Sequence, residues 1–409
     1  MQNLQAVIVG GGHAGAQLCA SLRQSGWIGE ILMISDEPAL PYHRPLLSKD
    51  YLSGQAKMTD LLIRSPSFYE KQCITRRFGQ VSSIDRQAHQ LTLCDGSKVS
   101  YDKLALCLGA RARKLSIPGA GLAGVHYLRT LSDIEAIRAE LDGKRKVVVI
   151  GGGYTGLETA ASLTNLGLAV TVLETATRVL QRVTAPQVSE FYARLHIENG
   201  VQLRTGCVLS AIEGDGRAQG VRCADGELIA ADLIIVGIGV LPNTELAEAA
   251  GLSVGNGILI DGHGFTNDPN IVAAGDCANY FSTRYGCRLR LESVPNAGEL
   301  AKVCAAALCG KFDNIDALPW FWSNQFNVKL QIAGLNVGHD TVVIRGDHRI
   351  GRSFTCFYLR SGRLIAADCV NRPQDFLLSK KLISEQLQVD VVRLVDESIP
   401  LNALMLELI

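Results

Sequence analysis

Ala6-Val-Ile-Val-Gly10-Gly-Gly12-His-Ala-Gly15 returns 141 residues later as Val147-Val-Val-Ile-Gly151-Gly-Gly153-Tyr-Thr-Gly156. Each copy is a β-branched apolar run, then G-x-G-x-x-G, then a helical pattern. Each also has an acid about twenty residues past its third glycine, Asp36 and Glu174. The glycines let the backbone turn tightly and approach a pyrophosphate, whose charge rests at a helix N-terminus. The acid accepts hydrogen bonds from a ribose. One copy is a weak signal. Two with full context imply two dinucleotides bound side by side.

Working outward, each fingerprint is followed by a helical pattern (14–25; 155–166) and a second strand ending in its acid. A hairpin-like stretch with a turn signal comes next, Leu91-Thr-Leu-Cys-Asp-Gly96 in one half and Val221-Arg-Cys-Ala-Asp-Gly226 in the other. Apolar exit strands then close on glycine, Lys103-Leu-Ala-Leu-Cys-Leu-Gly109 and Asp232-Leu-Ile-Ile-Val-Gly-Ile-Gly239. Strands alternating with helices predict an α/β fold of doubly wound parallel sheets. The strand at 271–274, with Gly275-Asp276 after it, and the helical pattern over 296–309 have no fingerprint of their own. They are expected to complete the first sheet, which makes the second unit an insertion. From about Leu318, alternating strand-like runs and a closing helical region predict a smaller α+β domain with an antiparallel sheet. The expected domains are 1–109 with 242–315, the inserted 110–241, and 316–409.

The bulk composition narrows the function. Of 409 residues 47% are hydrophobic and 20% charged, and forty basic side chains balance forty acidic ones. An ordinary globular mixture of no net charge argues against nucleic-acid or membrane-surface binding. Apolar runs fall short of a membrane span, the boldest being Leu233 to Leu241. The first strand begins within about five residues of Met1, which leaves no room for a targeting leader and predicts a cytoplasmic protein. Twelve cysteines show no C-x-x-C spacing, so no zinc site is indicated and most are expected to be reduced thiols.

Several longer motifs carry a resemblance: Pro41-Tyr-His-Arg-Pro45 with Leu-Ser-Lys49, Gly151-Gly-Gly-Tyr-Thr-Gly-Leu-Glu158, Arg182-Val-Thr-Ala-Pro-Gln-Val-Ser189, Gly275-Asp276, Glu292-Ser-Val-Pro-Asn-Ala297, Trp320-Phe-Trp322 and Val370-Asn-Arg-Pro373. With the first fingerprint, they resemble the bacterial ferredoxin reductases over essentially the whole chain. These are FAD- and NADH-dependent flavoproteins of the glutathione-reductase-type fold. The resemblance implies that the first copy, Gly10, Gly12 and Gly15, holds FAD, with Ala14, Asp36, Lys49, Val81, Arg129, Asp276 and Val294 at flavin-nucleotide contacts. It implies that Gly151, Gly153, Gly156, Glu174 and Gly239 hold NADH, with Tyr154 and Glu158 near the nicotinamide. His13 is read either as a phosphate contact or as an incidental loop side chain, and Arg44 as a nucleotide contact or a surface arginine. The family also suggests a Lys49–Glu158 pair beside the flavin, and places Trp322 on the side from which electrons leave. The alternative for Trp320 and Trp322 is a pair of core anchors.

Two readings refine that picture. A carboxylate at Glu174 suits the 2′-hydroxyl of NADH and would repel the 2′-phosphate of NADPH, although Arg178 stands only four residues on. No cysteine lies between Asp36 and Lys49, so disulfide-reductase and peroxidase chemistries lose their nucleophile. Asn324 stands where the family generally has an aspartate. The expected partner is an acidic [2Fe–2S] ferredoxin serving a cytochrome P-450, with Arg64, Lys302, Lys329, Lys380 and Lys381 as candidate docking charges and a monomer as the expected state. The alternatives are a Rieske-type dioxygenase system, a small radical or quinone substrate, and a redox-responsive NADH-binding protein.

Overall fold

The computed structural model describes residues 4–141, 143 and 146–400. Residues 401–409 of the expected C-terminal domain lie outside the described residues. The chain divides into two compact units, one of Met1–His43, Met58–Arg111 and Val240–Ala317, the other of Arg44–Lys57, Ala112–Gly239 and Leu318–Ile409.

The first unit is built on a parallel sheet centred on the fingerprint strand Gln5–Val9. Glu30–Ser35 and then Ile74–Phe78 lie on one side of it, Lys103–Leu106 and then Ile271–Ala273 on the other. Chain order therefore reverses between the fingerprint strand and Lys103–Leu106, and such a switch point opens a crevice at the carboxyl ends of the strands. Val7, Ile8, Ile31, Ile34, Leu104 and Val272 are buried, as expected of strands covered on both faces. Helices His13–Gln24 and Val294–Leu308 pack on one another, and Leu18, Leu22, Leu300 and Cys304 have no exposed surface. The later helix starts crisply because Ser293 Oγ accepts the Asn296 N–H at 3.2 Å and Pro295 fills its first turn. Val81–Asp85, Gln90–Leu93 and Lys98–Ser100 form an antiparallel meander.

The second unit repeats the plan. Lys146–Ile150 is central, with Ala169–Leu173 and Gln202–Arg204 on one side, Leu233–Val236 and Val125–Tyr127 on the other. Its C-terminal stretch forms a five-stranded antiparallel sheet in the order Trp320–Gln325, Val328–Gly334, Arg363–Val370, Phe354–Arg360, Thr341–Gly346. Helix Pro373–Ser384 packs on that sheet through Phe376, Leu382 and Ile383. Among the described residues no helix is long and apolar enough to cross a membrane. Nor do any three His, Cys, Asp or Glu side chains among them converge on a metal-sized site.

Candidate functional site

Sterics explain why each fingerprint needs its glycines. Gly10 and Gly151 sit at φ +118° and +114°, where a side chain would run into the main chain after the exit strand, at Cys107 and Gly237 respectively. A Cβ on Gly15 or Gly156 would overlap the carbonyl oxygen of the first glycine of its own turn. The middle glycines differ. Around a Cβ on Gly12 or Gly153 nothing lies within 4 Å. That open space fronts the N-termini of helices His13–Gln24 and Tyr154–Asn165, which have neither a side-chain cap nor an acid in the first turn. A helix start facing open space, with its amides uncapped, can receive an external anion. Both cradles fit the diphosphate of a dinucleotide, so the residues present fit FAD and NADH at this point.

In the first unit Gly275, at φ +85°, carries the turn after Ile271–Ala273 against the cradle: a Cβ there would stand 2.9 Å from that of Ala14. This brings Asp276 to the start of the fingerprint helix. The element after Asp276 is the strand Ala278–Ser282, so the aspartate is no helix cap. Val294 is the first residue of its helix. Asp36 follows Glu30–Ser35 and lines an open recess of about 330 Å³ with Phe78, Gly79, Gln80 and Leu93, just ahead of Val81. His13 Nε2 lies 3.3 Å from His43 Nδ1, and burial lowers the His43 pKa.

Glu174, the acid of the second cradle, is already fastened to it. Its Oε2 accepts the Gly152 N–H at 2.7 Å and its Oε1 accepts the Ala176 N–H at 2.7 Å. Thr175 Oγ1 also donates to Oε1 at 3.3 Å, and a carboxylate has about four acceptor positions, so one remains for a ribose. Arg178 is committed elsewhere: its guanidinium donates to the carbonyls of Thr184 and Gln181 and to Ser189 Oγ. Gly239, at φ +97°, ends the loop after the exit strand, and its carbonyl accepts the Arg113 N–H at 2.9 Å.

The most concentrated chemistry in the second unit surrounds Glu158. The Lys49 ammonium lies 2.9 Å from its Oε1, Ser323 Oγ donates to the same oxygen at 2.7 Å, and Ser48 Oγ to Oε2 at 3.2 Å. Lys49 and Ser48 come from a single π-turn, Leu47–Tyr51, a distortion that re-aims side chains. Burial raises the Glu158 pKa, and Lys49 leads the groups that oppose the rise. The network continues inward: Gln325 Nε2 donates to Ser323 Oγ at 3.1 Å, and His196 Nε2 lies 2.9 Å from Gln325 Oε1. Burial pushes His196 down to about 4, so it is neutral at ordinary pH and donates through Nε2. Sequence reasoning missed Ser48, Ser323, Gln325 and His196. The available signal was the alternation in Trp320–Gln325, which puts two polar side chains on the buried face of a strand.

The Tyr154 ring packs tilted against Phe321, 4.9 Å between centroids, while its hydroxyl is buried with no hydrogen-bond partner among the described residues. Arg44 Nη1 donates to the Arg129 carbonyl at 3.0 Å, so those two candidates stand together. Trp320 and Trp322 are half-buried, 5.5 Å apart, and unlike in packing: Trp320 packs on Phe376 and the core under the five-stranded antiparallel sheet, Trp322 does not. Asn324 is exposed. Of the candidate docking charges, Lys302 is paired with Glu299, Arg64 lies over the Phe68 ring and Lys380 over the Trp320 ring, while Lys329 and Lys381 are exposed.

Comparison with known proteins adds to this geometry. Residues 4–301 match the pyridine nucleotide-disulphide oxidoreductase family and residues 320–405 the reductase C-terminal family. Putidaredoxin reductase of Pseudomonas putida is 46% identical over 98% of this chain and 96% of its own length. The ferredoxin reductase subunit of a 5,5′-dehydrodivanillate O-demethylase from Sphingobium is 43% identical over 99% of both chains. The reductase in the crystal structure of the covalent putidaredoxin reductase–putidaredoxin complex superposes with a TM-score of 0.96 at 45% identity, covering 99% of each chain.

Proposed function

Because the chain belongs to the pyridine nucleotide-disulphide oxidoreductase family, as a ferredoxin reductase of the putidaredoxin reductase type, we propose that it moves electrons from NADH through FAD to a [2Fe–2S] ferredoxin that serves a cytochrome P-450. The observation that carries this reading is the pair of open glycine cradles in one chain, each facing an uncapped helix start. Likeness to putidaredoxin reductase over nearly the whole length supports the choice of partner. FAD, when bound, takes up a hydride equivalent and gives it out as single electrons.

The residues of the chain hold and orient. In this reading Gly12 and the start of helix His13–Gln24 receive the flavin diphosphate, Asp36 a ribose and Asp276 the ribityl chain, with Val81 and Val294 alongside. Gly153 and the start of Tyr154–Asn165 receive the NADH diphosphate, and Glu174 its ribose. Arg178, bound within its own loop, is not placed to welcome a 2′-phosphate, which favours NADH over NADPH. Lys49 is held by Glu158 so that its ammonium has one direction. Tyr154 flanks the nicotinamide, Arg44 and Arg129 the flavin nucleotide, and Trp322 the electron exit. No cysteine stands in the segment 36–49, so the electrons leave without a thiol relay.

The test is anaerobic. The yellow protein is reduced with NADH, and one-electron reduction of a [2Fe–2S] ferredoxin from a P-450 system is followed by its spectrum. Reduction that slows with rising salt, while a small dye is reduced at a constant rate, supports docking by charge. Failure to reduce any such ferredoxin would sink the reading. A second reading has its own support in a relative 39% identical over 97% of this chain, the reductase component of an anthranilate 1,2-dioxygenase system from Burkholderia cepacia: the ferredoxin serves a dioxygenase in place of a P-450. Faster turnover with that class of ferredoxin selects it.

A further inference from the structure

We propose that Cys207 and Cys223 are a modification site: in the presence of hydrogen peroxide they join as a reversible disulfide beside the acid of the second cradle. Their sulfurs stand 2.7 Å apart. A disulfide needs about 2.05 Å, so closure asks for less than about 1 Å of movement. The backbone already brings them together. Cys223 ends the strand Gly220–Cys223, which runs antiparallel to Leu209–Glu213 with Leu209 opposite Cys223, and the Ala224 N–H donates to the Val208 carbonyl at 2.8 Å. Cys223 is buried and Cys207 half-buried, so Cys207 is the sulfur an oxidant reaches first.

The Cys207 thiolate attacks one peroxide oxygen. The O–O bond breaks, and hydroxide leaves, protonated to water. The resulting sulfenic acid is then attacked at sulfur by Cys223. The S–S bond forms, the S–O bond breaks, and the proton of the Cys223 thiol leaves with that hydroxide as a second water. Two thiols are oxidised by two electrons and one peroxide is reduced to two waters.

The disulfide would act on the nucleotide cradle through three backbone bonds. The Glu174 N–H donates to the Arg204 carbonyl at 2.8 Å, the Gly206 N–H to Ala176 at 2.8 Å, and the Cys207 N–H to the Glu174 carbonyl at 3.0 Å. Drawing Cys207 toward Cys223 therefore tugs the acid that faces the ribose. This part rests on the second cradle being the NADH site, whereas the cross-link itself does not.

The FAD-bound protein is treated with graded peroxide, its remaining thiols are blocked with N-ethylmaleimide, and the digest is read by mass spectrometry. The expected result is a peptide pair joined through Cys207 and Cys223 that dithiothreitol separates and that both Cys207→Ser and Cys223→Ser lack. KM for NADH should rise about threefold or more in step with the cross-link, since sub-ångström misplacement of a positioning group is felt in binding. That rise should be absent from both variants and reversed by dithiothreitol. Recovery of Cys207 as a sulfinic acid or a maleimide adduct, with Cys223 unjoined, overturns the site. A cross-link with unchanged KM overturns its link to the cradle. If Glu174→Ala in unoxidised protein also leaves that KM unchanged, the NADH reading of the cradle has failed instead.

Discussion

Lys49→Met removes the ammonium facing Glu158 and leaves a carboxylate whose side chain is only 9% exposed, supported by two serine hydroxyls. At 2.9 Å the bare attraction, taken with an effective dielectric of about 20, is about 6 kcal/mol. Both groups gave up water to form the pair, so the net cost of removing one partner is about 3–5 kcal/mol. Ser48 and Ser323 still hold the charge, which places the expected loss near the lower end, about 3 kcal/mol. Glu158 has a second way out, which is to take a proton. Its pKa in the folded protein is already above 4.5 through burial, and Lys49 is the largest influence holding it down. With a raised folded pKa, the folded state keeps a proton that the unfolded chain releases, so stability falls as pH rises from 4.5 through the folded pKa. Losing Lys49 moves that upper bound higher. Unfolding of the FAD-bound protein should therefore show Lys49→Met weakened by about 3 kcal/mol at pH 8 and by less at pH 5.5. Glu158→Gln in the same chain should restore most of the loss. Equal losses at both pH values, or additive effects in the double variant, would refute the reasoning.

Gly12→Val should fold with the melting temperature of the FAD-free protein and come out colourless, because its side chain fills only the open cradle, whereas Gly15→Ala collides with the Gly10 carbonyl and should yield little folded protein. Absorbance of the purified chains checks both. Glu174→Ala should cut the preference for NADH over NADPH about tenfold, the worth of roughly 1.4 kcal/mol, in the ratio of kcat/KM values; an unchanged ratio would place the ribose elsewhere. Asp368 is 1% exposed, its carboxyl is pushed up to about 7 by burial, and Tyr358 Oη donates to it. Wild type should lose stability between about pH 4 and pH 7, by up to about 4 kcal/mol, and Asp368→Asn should flatten that stretch of the unfolding profile. A parallel profile for the two proteins would count against a titrating Asp368.

What was legible in the sequence was what sterics and local spacing dictate. Gly10 and Gly15 must be glycine because main-chain atoms occupy the space of a side chain, and that requirement prints itself on a short motif. The parallel sheets followed from β-branched runs with no polar face, such as Val147 to Ile150. Much of the Glu158 network was not legible, because its members come from segments that no periodicity connects. Ser323 and Gln325 look like ordinary polar positions beside two tryptophans until the strand pairing turns them inward. The family resemblance suggested Lys49 as the partner of Glu158, but residue type and spacing did not. Arg178 was ambiguous for the same reason: its distance along the chain from Glu174 allowed a phosphate contact, and its hydrogen bonds to the loop carbonyls follow from a fold that spacing does not reveal. The contact of Cys207 with Cys223 carried no spacing signal, since a hairpin sets it.

The first sheet has a consequence for how the protein is made. Its strand Ile271–Ala273 and the covering helix Val294–Leu308 leave the ribosome only after the second fingerprint and its whole sheet have emerged. The nascent first half must wait with Leu18 and Leu22 uncovered and the Lys103–Leu106 edge unpaired, a state prone to sticking to itself. Ribosome-bound chains stalled before residue 271 should accordingly recruit chaperones and resist flavin loading, and those released past residue 310 should do neither.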